Sequence, residues 1–192
     1  MTRTIFGKAA LMATVALGVA AGSGRPAEAP LLITFDQVGS DVVATLSGSL
    51  NITALSFGTT DTFGALIRSD AALVYTGGAV DQYFGASGPG TIGPGNTRFA
   101  SSRSGDAFAM QGSSGRIAPP AGYVSGTPLS ASMTFTNQTF ATLGMTPGTY
   151  VWTWGREATA DSLTIQIGVP EPASALLLGA GLLGLGLMRR RA

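Results

Sequence analysis

The sequence predicts an all-β protein: an antiparallel β-sandwich or jelly-roll-like body, flanked by an N-terminal signal helix and a C-terminal hydrophobic helix. Three observations lead there. Short apolar runs of period two recur along the middle of the chain, which is the signature of half-buried strands. Between residues 30 and 168 there are 20 of the 28 glycines, a density well above the ~7% of an average protein and typical of a chain that turns often. No stretch of that body keeps an apolar stripe at helical spacing for three turns.

The N-terminus is read first. Met1 to Lys8 carries Arg3 and Lys8, and Ala9 to Ala21 is an uncharged apolar run. A basic segment followed by a short apolar one is a secretory signal peptide, too short for an ordinary membrane span. Residues 1–29 are assigned to it, with a cut for signal peptidase between 21 and 29. Ala27-Glu28-Ala29 is one candidate, although Pro30 just beyond it disfavours cleavage; Val19-Ala20-Ala21 and Ala21-Gly22-Ser23 compete.

Residues 30–168 form the β-rich body. Leu31 to Phe35 and Val42 to Leu46 read as a hairpin around Gly39-Ser40-Asp41. Met133-Thr134-Phe135-Thr136 alternates, so Met133 and Phe135 face inward. Thr139 to Leu143 forms one short turn. Thr146-Pro147-Gly148-Thr149 suits a type II turn into the strand Thr149 to Trp154. Ser162 to Ile167 puts Leu163, Ile165 and Ile167 on one face, and it is the cleanest amphipathic strand. Gly85 to Gly126, with Gly-Pro-Gly at 88–90 and 93–95, is expected to be loops at one end of the sandwich.

Charge and inventory limit the chemistry. The body carries five arginines, no lysine and eight acids, for a net −3, which is a poor match to a phosphate backbone, so no nucleic-acid partner is expected. There is no cysteine and no histidine, and Lys8 lies in the leader. Histidine triads, cysteine nucleophiles and lysine bases are therefore excluded. No nucleophile elbow, phosphate loop or EF-hand loop occurs. The chain is expected to be no enzyme and to need no cofactor or metal. Asp61, Asp70 and Asp81 remain as conceivable glycosidase acids or calcium ligands, but their spacing matches no motif and solvated loop positions are the plainer reading. Tyr150, Trp152 and Trp154 share one face of their strand. They are read first as core and second as a sugar-stacking platform. Thr134, Thr136, Thr139 and Thr142 lack the fixed repeat that an ice-binding array needs.

The last 24 residues, 169–192, differ from everything before them. Val169-Pro170-Glu171-Pro172 should be extended and exposed, since each proline biases its predecessor away from helix. Ala173 to Met188 has no charge; as a helix it would reach about 24 Å against a hydrocarbon core of ~30 Å. Arg189, Arg190 and Arg191 would hold its end on the cytoplasmic side. This order of motif, span and basic cluster resembles the PEP-CTERM sorting signal of exported proteins in Gram-negative bacteria. The resemblance implies a membrane-embedded exosortase as processing partner, a transient stay in the inner membrane, and delivery to the cell surface or an exopolysaccharide matrix. The stretches ITFDQVGSDVVATLSGSLNIT and TFATLGMTPGTYVWTWGREATADSLTIQIG are also similar to bodies found upstream of such tails. The expected precursor is anchored in the inner membrane with its body in the periplasm. Its expected role is that of a structural or adhesive surface component; a carbohydrate-binding module and a carboxylate-based hydrolase are the alternatives.

Overall fold

The computed structural model describes residues 29–168. The expected signal helix, the sorting residues Val169, Pro170, Glu171 and Pro172, the span 173–188 and Arg189, Arg190 and Arg191 lie outside the described residues. In chain order the strands are β1 (Leu31–Val38), β2 (Asp41–Gly48), β3 (Ser56–Phe63), β4 (Leu66–Arg68), β5 (Leu73–Tyr75), β6 (Gly78–Phe84) and β7 (Thr97–Phe99). Next come β8 (Ser102–Gly105), β9 (Ala109–Gln111), β10 (Arg116–Ala118), β11 (Leu129–Phe135), β12 (Gly148–Trp154) and β13 (Asp161–Ile167). They build two sheets, one ordered β12-β13-β1-β2-β11-β8 and the other β3-β6-β10-β9-β5-β4-β7.

The first sheet follows the predicted alternation. Leu31, Ile33 and Phe35 of β1, Met133 and Phe135 of β11, and Leu163, Ile165 and Ile167 of β13 are all buried. They meet Ile67, Val74, Met110 and Ile117 of the second sheet in one continuous core. Burying side chains of this size contributes roughly 1.5–3 kcal/mol each, and with no disulfide in the chain this packing carries the stability. One pairing departs from the antiparallel expectation: β1 and β13 run parallel, with Leu31 opposite Leu163 and Phe35 opposite Ile167.

Two turns behave differently from each other. Leu143 N–H donates to Thr139 O at 3.0 Å, closing the short turn expected there. Gly148, by contrast, opens β12 at φ 156°, far from the ~80° of a type II turn's third residue. The chain enters that strand already extended.

The region from Gly85 to Gly126 is not a set of loops. It contains β7, β8, β9 and β10, and the β9–β10 hairpin sits in the middle of the second sheet. These strands have three or four residues each, too few for a visible period of two.

The second sheet curls on itself. β3 and β4 stand five places apart in the strand order, yet only Gly64 and Ala65 join them. A two-residue link spans at most about 11 Å, whereas five flat strand spacings would need about 24 Å. β5 and β6 are likewise joined by Thr76 and Gly77 alone. The bend there requires glycine: Gly77 and Gly78 lie at φ 89° and 110°, where a Cβ is strained, and a Cβ on Gly78 would stand 2.8 Å from that of Ala107. The Thr76 hydroxyl accepts from Phe108 N–H at 2.8 Å, and Arg103, reaching across from the first sheet, donates to Gly77 O at 3.1 Å. The concave side of the curl holds a second, smaller core of Ala71, Leu73, Tyr75, Val80, Ala109 and Ala118.

Candidate functional site

The aromatic row on β12 belongs to the sandwich core. Trp152 and Trp154 are 0% and 5% exposed, and Tyr150 is half-buried against the same cluster. Each polar tip is engaged: Trp152 Nε1 donates to Pro89 O at 3.0 Å, Trp154 Nε1 to Asn51 O at 2.8 Å, and Tyr150 Oη to Thr146 O at 2.9 Å. Stacking on a sugar needs a free ring face. Trp152 and Trp154 have none to offer.

The three aspartates do not converge. Asp61 stands opposite Val80 and Asp81 opposite Thr60, and consecutive strand positions point to opposite faces. The two carboxylates therefore lie on different sides of the second sheet. Asp81 accepts from Thr60 Oγ1 at 2.6 Å and from Gly122 N–H at 2.8 Å. Asp70 pairs with Arg68 at 2.7 Å, and the guanidinium's hydrogen bond holds its carboxyl below the ordinary range. Other acids tie loops down: Asp161 takes Asn51 N–H at 2.6 Å and Asp106 takes Ser130 N–H at 2.8 Å. Among the described residues no three or more metal-ligating side chains come together. Of the four threonines, Thr139 and Thr142 bond to one another, so they form no outward array with Thr134 and Thr136.

A polar cluster that no sequence motif announces lies inside the curl. Arg116 of β10 donates to Gln82 Oε1 and Gln111 Oε1, each at 2.8 Å, and to Tyr75 Oη. Gln82 passes the contact on, donating to Asp61 at 2.9 Å. The guanidinium also lies 5.4 Å from the Tyr75 ring centroid and 5.8 Å from that of Phe63. Phe63 and Tyr75, from β3 and β5, stack at 4.5 Å although three strands separate theirs in the order. Only the curl brings these rings together. One residue thus connects both flanks of the bend, and Arg116 Nε stays buried with no partner. Burial raises the Tyr75 phenol above its ordinary pKa, with Asp61 adding to the rise and Arg116 opposing it. The cluster's geometry is that of a clamp: Arg116 holds Tyr75, Gln82 and Gln111, and Gln82 reaches on to Asp61.

The chain's two ends leave the body in defined places. Ser49 N–H donates to Ala29 O at 3.0 Å, and Pro30 bridges Ser49. At the other end, Gly168 N–H donates to Phe35 O at 2.9 Å, one residue beyond the end of β13. Because β1 and β13 are parallel, the two ends emerge from opposite ends of the sandwich. Among the described residues no helix is long and apolar enough to cross a membrane.

Comparison with known proteins identifies the segment that starts at Gly168. No curated protein and no solved structure matches the chain. Residues 168–191 match the PEP-CTERM protein-sorting motif, so the motif starts at the residue on which the fold closes. The chain thus carries a PEP-CTERM protein-sorting motif, a signal that indicates an exported, membrane-anchored precursor sorted to the cell surface by an exosortase.

Proposed function

We propose that the body serves as a structural or adhesive component of the cell surface or extracellular matrix, exposed in the periplasm as a precursor and freed by processing at Val169-Pro170-Glu171-Pro172. The observation that supports this reading is the coincidence of two boundaries. β13 lies inside its sheet between β12 and β1 and ends at Ile167, while the sorting motif begins at residue 168. Removing the tail therefore takes no strand and no core side chain from the described fold. Asp61, Asp70 and Asp81 do not converge and the indoles are buried, so neither the hydrolase nor the aromatic-platform alternative gains an observation.

Intact-mass spectrometry of the protein from its native host, with and without an active exosortase, tests this. The expected mass in the released fraction ends near Val169 to Pro172, and the exosortase-deficient host retains the tail. Its N-terminus should fall after Ala21 or Ser23, because those cuts keep the Ala29 carbonyl that Ser49 uses. A released protein that still carries residues 173–192 would overturn the proposal.

A further inference from the structure

The outward face of the six-stranded sheet carries an unbroken transverse rank of uncharged polar side chains. The register places Thr149 beside Gln166, Gln166 beside Thr34, Thr34 beside Thr45, Thr45 beside Ser132, and Ser132 beside Ser104. That rank crosses all six strands, about 24 Å at ~4.8 Å per strand. The hydroxyls are paired and thereby oriented: Thr34 Oγ1 and Thr45 Oγ1 are 2.7 Å apart, and Ser104 Oγ and Ser132 Oγ 3.0 Å. One rank away, Leu32 lies beside Thr164 and Ser47, and Val151, 43% exposed, lies beside Thr164. Small apolar areas thus alternate with the hydroxyls. The outward positions of these strands include no lysine or arginine, and their acids, Asp36 and Asp41, sit at the β1–β2 hairpin end.

We propose that this face binds a neutral, hydroxyl-rich polysaccharide laid across the strands, an inference that rests on the matrix role above and names its partner. A hydroxyl both donates and accepts, so a row of them is complementary to another polymer of hydroxyls. Leu32 and Val151 meet the C–H faces of the sugar rings. Charge decides the class. With no cation on the face there is nothing to recognise carboxylate or phosphate. With no aromatic or arginine anchor it also lacks the centre that protein interfaces use. Each contact is weak, and affinity comes from repetition along the rank.

The test uses the processed protein recovered from its host, sedimented with microcrystalline cellulose, incubated with soluble dextran, and compared with polygalacturonate at low and high salt. The expected result is retention on the neutral glucans that salt does not weaken, none on polygalacturonate, and a loss of roughly tenfold or more in affinity in the T34V/T45V/S132A variant. Thr→Val keeps shape and strand propensity, so thermal unfolding should be unchanged; Thr45→Lys, which adds one exposed charge, serves as a second variant and should also weaken retention. Unchanged binding in either folded variant, retention only on polygalacturonate at low salt, or no retention at all would overturn the proposal. So would self-association abolished by the same substitutions, which would make the face an interface between copies. Failure to bind glucan while the tail is still processed and the body delivered would sink only this inference, whereas loss of delivery would sink the matrix role.

Discussion

Replacing Arg116 by alanine is the sharpest perturbation of the second sheet. Gln82 and Tyr75, 4% and 5% exposed, would each lose a charged donor and be left buried without it, at about 1–3 kcal/mol apiece. Gln111 is half-buried and would recover part of its loss from water. The cation above Phe63 and Tyr75 adds about 0.5–1 kcal/mol, and relief of the unpartnered Nε offsets some of the total. The net expectation is a destabilisation of about 3–5 kcal/mol, a drop of roughly 6–20 °C in Tm at this chain length. Urea unfolding followed by tryptophan emission measures it, and near-ultraviolet circular dichroism should lose the signal of the stacked Phe63–Tyr75 pair. Arg116→Lys should recover little, because one ammonium cannot span three acceptors in the plane of a guanidinium fork. The control is Arg68→Ala, which breaks only the exposed pair with Asp70 and should leave stability unchanged. If the two alanine variants unfold together, the clamp argument is wrong.

Three further expectations are independent of that one. Both indoles should resist quenching by iodide in the folded protein, since Trp152 and Trp154 are buried; ready quenching would restore the sugar-platform reading. Gly88→Ala should cost about 1–3 kcal/mol in urea unfolding, because its Cβ would stand 2.5 Å from Trp152 Cδ1 and 2.6 Å from Val151 O, while Gly64→Ala, with open space around it, should be neutral. Burial raises the phenols of Tyr75 and Tyr83, with Asp81 adding to the rise at Tyr83, so the folded chain keeps their protons above the unfolded pKa of about 10. Their contribution to stability is then complete below that pH and declines as pH rises through the folded values; phenolate absorbance in native and unfolded protein checks it, and removing Arg116 should raise Tyr75 further.

The first sheet was legible because its strands have seven or eight residues apart from β8, long enough for alternation to show. Leu163, Ile165 and Ile167 point inward for the reason their spacing states. The second sheet was hidden by brevity and by exposure. β4, β5, β7, β9 and β10 have three residues each, and β3 is exposed along almost its whole length, so neither kind displays a buried stripe. The curl is a property of links such as Gly64-Ala65 combined with a strand order that local patterns do not encode. Arg116 illustrates the same limit: its acceptors at positions 75, 82 and 111 meet only through pairing, and no local spacing brings them together. The tail was legible for the opposite reason. Its signal is linear, read by order along the chain, and requires no tertiary contact.

The position of β13 sets when the six-stranded sheet can close. Of the described strands β13 is the last to leave the ribosome, and it is inserted between β1 and β12, so the six-stranded sheet stays open until residue 167 has been made. Contacts of such sequence separation form late and slowly. A chain emerging from its N-terminus therefore holds an unclosed sheet until β13 arrives, directly ahead of the sorting motif at residues 168–191. Closure of the sheet and the start of the sorting motif thus fall on the same few residues, so the body's last structural element and its address are read out together.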